Sequence, residues 1–283
     1  MISVAEIRRR AAGVPGGEVT VERDYLLSWV LKAIYESEPL RERFVHKGGT
    51  ALRKLYFPHA RFSVDLDFTM VKRMPEEGLR ASLLGLGAGV EMGCELTFLQ
   101  PRFRFEKTDD EYGAETFEVR LYFRRLVHPG GAPLGVVIDA TYNEILLLPV
   151  EQREVHYDHS DADDFGQVVV PAYSLEEIAA EKLRGLLFQR VNPSPRDAYD
   201  LWYLWTEGQV DWTTVVRIFP QKCVARGVPV ASLSTAALTE REAAVRSVWE
   251  STLRGLIGTY PTPEEAWAVV EELEGRLFRG EER

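Results

Sequence analysis

The chain has 283 residues, 45% hydrophobic and 28% charged, the composition of an ordinary soluble protein with one large domain or two modest ones. Its formal net charge of −10 argues against a nonspecific nucleic-acid coat. No apolar run approaches the roughly 18 residues of a spanning helix, the first residues lack the apolar run of a secretion signal, and Cys94 and Cys223 lack metal spacing and read as reduced thiols of a cytosolic protein.

Residues 20–37 predict a first helix, with Leu26, Val30 and Ile34 recurring every four positions. FVHKGGTALRKLYF then runs a short strand into Gly48, Gly49 and Thr50, followed by Ala51, Leu52, Leu55 and Tyr56 at helical spacing. A Gly-Gly turn that opens a helix lets backbone N–H groups approach a phosphate closely. An ordinary strand-to-helix turn explains the glycines by themselves equally well. RFSVDLDFTM, residues 61–70, alternates Phe62, Val64, Leu66, Phe68 and Met70 with Ser63, Asp65, Asp67 and Thr69, the pattern of a half-buried strand. Asp65 and Asp67 thus share one face about 7 Å apart. Like charges so placed repel, so either cations sit between them or both point into water. Glycines, helix and Asp-x-Asp strand in succession favour a nucleotide site. Residues 39–73 carry eight Lys or Arg against three acids, whereas residues 151–165 carry one Arg against six acids and the last 22 residues three Arg against seven Glu. Positive charge therefore gathers around the candidate phosphate turn.

Pro75 opens a helical stretch to about Met92, and residues 94–106, 115–126 and 134–142 read as strands separated by turns at 108–113 and 128–133. Asp139 interrupts the apolar run of the third strand: it is a turn or capping residue, or a third carboxylate for metal bridging or for deprotonating a hydroxyl. Residues 143–173 read as an irregular acidic connection with short strand-like pieces, and the composition changes near residue 171. Ser174 and Glu177 predict a capping box for a helix to about Arg190. Lys182 falls in the middle of that helix's apolar stripe, where a lysine must snorkel or meet an anion, while Glu181 and Arg184 are expected on the outer side. Ser194, Pro195 and Asp197 fit N-cap, first and third helical positions, which makes Asp197 a capping acid in the first instance; Asp200 reads first as a capping or surface residue. The five histidines form no ligand pattern. Helices are expected near 211–226, 236–258 and 262–279, the last with a Thr262–Glu265 capping box and no chemistry.

The stretch KGGTALRKLYFPHARFSVDLDF resembles the signature of the AbiEii family of nucleotidyltransferases, whose MenT-type members are toxins of toxin–antitoxin pairs. These are relatives of the polymerase-β-like superfamily. Arg196-Asp197 before Ala-Tyr-Asp-Leu, with Lys182 and Arg190, is similar to a later motif of the same family. The resemblance implies an α/β fold: a polymerase-β-like core with a mixed sheet in residues 1–170 and a helical domain in 171–283 that contributes Lys182 and Asp197 to the site. In that reading Asp65, Asp67 and Asp139 hold Mg²⁺ or Mn²⁺, Gly48, Gly49, Thr50 and Lys182 bind the nucleoside triphosphate, and Asp139 orients or deprotonates the attacking hydroxyl. The implied reaction is nucleotidyl transfer to an RNA, first of all the 3′ end of transfer RNA, which would block charging and translation. Ser63 either fills a small space or, as the resemblance implies, takes a silencing phosphate. A cognate antitoxin is implied as partner, and no membrane. Two other classes stay open: a protein-modifying nucleotidyl- or phosphotransferase, and a non-catalytic nucleotide-binding module.

Overall fold

The computed structural model of the protein describes residues 1–109, 115–142, 144–231 and 233–278. Two compact units divide the chain, residues 1–143 with 150–172 and residues 144–149 with 173–283.

The first unit is built on seven strands: β1 (Phe44–Lys47), β2 (Asp65–Met70), β3 (Arg104–Asp109), β4 (Glu115–Phe123), β5 (Leu134–Thr141), β6 (Glu151–Glu154) and β7 (Val169–Ala172). They form one mixed sheet in the order β3-β4-β5-β2-β1-β7-β6, with β2 parallel to β5 and β1 parallel to β7. Period-two alternation puts Leu66, Phe68, Val119, Leu121, Val136 and Ile138 on one face, all of them buried. Helices α1 (Val4–Ala11), α2 (Gly17–Glu36), α3 (Glu38–Arg41), α4 (Gly48–Ala51), α5 (Glu76–Cys94) and α6 (Ala162–Phe165) complete the unit. Helix α2 covers β2, β5 and α5, and its Tyr35 ring meets Phe68 edge-on. The opposite face carries Asp65, Asp67, Val137, Asp139, Glu118 and Arg120, none of them buried.

Three details differ from the sequence expectation. Helix α1 exists although Ile7 is the only buried apolar residue in it; it is capped by Ser3 and anchored by buried Glu6, which accepts from Ser160 and Arg10. The strand expected from residue 94 begins at Arg104, because α5 runs to Cys94 and Pro101 sits in a short helical turn, Gln100–Arg102. The turn expected at 108–113 falls mostly on 110–113, outside the described residues.

The second unit is helical: α7 (Leu175–Arg184), α8 (Pro195–Glu207), α9 (Trp212–Ala225), α10 (Thr235–Ser247), α11 (Trp249–Leu253) and α12 (Pro263–Phe278). Ser174 caps α7 through Glu177 N, but the expected box does not close. The Glu177 carboxylate instead accepts from the backbone N–H groups of Leu147 and Leu148 and pairs with Lys222 at 2.5 Å. Arg184 is likewise not on an outer side: it is buried, forks onto Glu144 with two 2.9 Å hydrogen bonds, and donates to Lys222 O. The segment Glu144–Pro149 is thereby held inside the helical unit. The Thr262–Glu265 box forms reciprocally. The long helix expected at 236–258 breaks at Val248, whose φ of −122° and ψ of 11° leave the helical region. Among the described residues no helix is long and apolar enough to cross a membrane.

Candidate active site

The turn between β1 and α4 is set by Gly48, whose φ is +77°. A Cβ there would collide with the Asp67 carboxylate, so glycine is required both by the backbone and by the neighbour. The first N–H groups of a helix have no acceptor within it, and this helix opens at Gly48, against the Asp67 carboxylate. Thr50 is buried, and its hydroxyl donates to Asp65 O. It clamps α4 onto β2.

Register assembles the carboxylates. Asp67 lies opposite Lys47 on β1 and opposite Asp139 on β5, and Asp139 lies opposite Glu118 on β4. Adjacent strands run about 4.8 Å apart, so Asp67, Asp139 and Glu118 form a row of like charges across three strands. Asp65, two residues before Asp67, stands opposite Val137 in the next row. Burial first, and then Asp65 and Glu118, push the Asp139 carboxyl up to about 6 against the pull of Arg120 and Lys47. Arg120 is drawn toward Glu118 at 2.7 Å. Ser63 is 4% exposed and donates to Asp65 Oδ1 at 3.1 Å, so its hydroxyl orients that carboxylate.

Three neighbours escaped the sequence reading. Glu118 was visible only as the polar half of an alternating strand. Arg61, 4% exposed, lies against the turn: a Cβ added at Gly49 would sit 2.6 Å from its Nη2 and 3.3 Å from Ser63 Oγ. The parity of Arg61, Ser63, Asp65 and Asp67 along one extended stretch was the available signal. His46 is fully buried on the apolar face, its ring tilted against that of Phe68 with centroids 4.9 Å apart, and its Nδ1 donates to Asp67 O at 3.0 Å. Burial holds its ring deprotonated, down to about 4. It fixes the backbone that carries Asp67.

In the second unit Lys182 pairs with Asp197 at 2.9 Å and Asp200 at 2.7 Å, and Arg190 pairs with Asp197 at 3.1 Å. The lysine on the apolar stripe is therefore matched by carboxylates from α8. Asp200 is 2% exposed, which removes the surface role first expected of it, and Asp197 directs its side chain to Lys182 and Arg190 as well as occupying a first-turn position.

So the structure gathers Gly48, Gly49, Ser63, Asp65, Asp67 and Asp139 in one unit, and Lys182, Asp197 and Asp200 in the other. The family described as "Nucleotidyl transferase AbiEii toxin, Type IV TA system" matches residues 29–271. The chain belongs to the AbiEii nucleotidyltransferase toxin family. This member of the AbiEii family shares its fold with MenT4, a nucleotidyltransferase toxin from Mycobacterium tuberculosis, at 21% identity and a TM-score of 0.58, over 98% of this chain and 100% of that one. A putative nucleotidyltransferase from H. pylori is similar at 15% identity and a TM-score of 0.53, over 91% of this chain and 96% of the other. No curated protein sequence matches. The AbiEii assignment makes the chain a nucleotidyltransferase and the toxin half of a type IV toxin–antitoxin system.

Proposed function

We propose that this AbiEii toxin transfers a nucleoside monophosphate from a nucleoside triphosphate to the 3′ end of transfer RNA, releasing pyrophosphate and so blocking charging and translation. The observation that carries the reading is Asp67 standing opposite Asp139 on parallel strands, at a glycine turn which has no room for a side chain. The transfer-RNA acceptor rests on the family resemblance.

The donor set fits Mg²⁺ or Mn²⁺. Hard cations take carboxylate oxygens, and Mg²⁺ is commonly held by one or two carboxylates with substrate phosphates and water filling its shell. Among the described residues no three His, Cys, Asp or Glu side chains converge to hold a metal by themselves, so the triphosphate would supply the remaining ligands. Asp65, Asp67 and Asp139 would hold the ion, and when bound it would neutralise the triphosphate and the leaving pyrophosphate. Gly48 and Gly49 would offer N–H groups to phosphate oxygens, with the Arg61 guanidinium behind them. Asp139, opposite Asp67 in the same row, would orient or deprotonate the attacking hydroxyl. Lys182 and Asp197 enter the proposal through the family motif.

The test is incubation of the pure protein with Mg²⁺, each α-labelled ribonucleoside triphosphate in turn and total transfer RNA, resolved on a denaturing gel. Label on transfer RNA, lost in Asp67→Ala, is the expected result and names the nucleotide. Label on protein would replace the reading with a protein-modifying enzyme, and nucleotide bound without turnover would replace it with a binding module.

A further inference from the structure

The first unit holds a cavity of about 300 Å³ that the reaction does not use, between α1, α2, the π-helical turn Leu52–Tyr56 and the segment 156–159. That volume is at the small end of ligand sites. Its lining concentrates cations and imidazoles: Arg10, Arg53, Lys54, His59, His156 and His159. Three of the chain's five histidines meet here, although their spacing in the sequence forms no ligand pattern. Among the described residues no group of three metal-ligating side chains could hold a metal ion.

Two carboxylates also line the cavity. Asp24 is already engaged by Arg53 at 3.0 Å and Lys54 at 2.8 Å, and Asp158 has a fully exposed side chain 3.6 Å from Arg10. Arg10 also pairs with buried Glu6 at 2.8 Å, so each of the three permanent cations has a carboxylate beside it. Donors are left over. Arg53 commits Nε to Asp24 and Nη1 to Ala60 O, with its guanidinium carbon 3.7 Å from the Phe62 ring centroid, which leaves Nη2 without a hydrogen bond among the described residues. His159 has a side chain 8% exposed, and its Nδ1 has no hydrogen bond among the described residues, Glu6 Oε1 being 3.7 Å away. Burial above all, with Lys54 and Arg10 adding to it and Asp24 and Glu6 opposing, pushes this ring down to about 4. An unpaired buried atom such as His159 Nδ1 costs about 1–3 kcal/mol, and an anion with several oxygens would meet it and Arg53 Nη2 together. Guanidinium forks match phosphate geometry, and the flanking Val14, Val21 and Pro58 supply apolar wall for what the phosphate is attached to.

We propose that this cavity binds a terminal phosphate group, that of a free nucleotide or of an RNA end, at a site separate from the carboxylate row. Isothermal titration without divalent metal would compare AMP, a 5′-phosphorylated RNA tetramer and the same tetramer with a 5′-hydroxyl. The phosphorylated ligands are expected to bind at least tenfold more tightly than the hydroxyl form. His59 and His156 are exposed, so the double variant His59→Ala/His156→Ala should fold, and it should weaken that binding tenfold or more. Asp67→Asn should leave it unchanged, which keeps this site distinguishable from the transfer reaction. Phosphorylated RNA tighter than AMP assigns the site to an RNA end; equal affinity assigns it to a free nucleotide. Equal binding of phosphorylated and unphosphorylated RNA, or binding indifferent to the double variant, would overturn the proposal. In the wild type, inorganic phosphate should shift the His159 imidazole resonances, and unshifted resonances would count against the site by a route that needs no variant.

Discussion

At the scale of single residues, the clearest consequences come from charges placed where folding alone would not put them. Asp139 is held near 6 against 3.8 in an ordinary carboxyl. Between those values the unfolded chain ionises first and binds fewer protons than the native one, so this group's contribution to stability falls as pH rises from about 4 to 6 and is flat above. The shift corresponds to an order of 2–3 kcal/mol. Asp139→Asn should therefore match the wild type in urea denaturation near pH 4 and exceed it by up to about 2 kcal/mol at pH 7.5; an equal gain at both pH values would show that the strain is not electrostatic. Asp67→Asn should lose transfer activity by on the order of a hundredfold or more while its melting temperature does not fall, since it removes a like charge from the row. Lys182 behaves oppositely. Lys182→Met takes the shared cation from Asp197 and Asp200, with Asp197 keeping its pair with Arg190, and breaking such a buried cluster costs about 3–5 kcal/mol. Adding Asp200→Asn should recover part of that loss, and denaturant midpoints of the single and double variants check it.

At the scale of elements, the β1–α4 turn decides how β2 is presented. Gly48→Ala must adopt a left-handed backbone, costing about 1–2 kcal/mol, and must also displace the Asp67 carboxylate. A lower melting temperature together with abolished transfer is expected, and full activity in a stable Gly48→Ala protein would remove the turn from the reaction. This element was legible in the sequence because glycine, helical spacing and strict alternation are local signals. Ser63, Asp65 and Asp67 could be placed on one face from parity alone. What joined Asp139 and Glu118 to them is strand register, which no local pattern encodes, so Asp139 could be nominated and Glu118 could not. Asp200 and Arg184 were misplaced for a related reason: each is polar on a helix, and only tertiary pairing with Lys182 and Glu144 makes it buried. Likewise Glu177 has the spacing of a capping box, yet two backbone N–H groups from a distant segment and Lys222 compete successfully for its carboxylate. Helix α1 was missed because a single buried apolar side chain gives no periodicity.

At the scale of the whole molecule, the chain passes between its two units three times, since residues 144–149 belong with 173–283 and residues 150–172 return to the sheet. No single cut yields both units intact. A fragment of residues 173–283 leaves Arg184 without the Glu144 fork and Glu177 without two N–H donors. It should show no cooperative urea transition by circular dichroism, whereas a fragment of residues 144–283 should show one; identical transitions would mean that the segment is dispensable. The same threading sets a schedule during synthesis. Glu144–Pro149 leaves the ribosome well before Lys222, and at about 5–20 residues per second the interval from Pro149 to Lys222 lasts roughly 4 to 15 seconds. For that time the nascent chain carries a mostly apolar peptide, with Glu144 its one acid, whose contacts from Lys222 have yet to be translated, so the helical half closes as one of the last events in the making of the toxin.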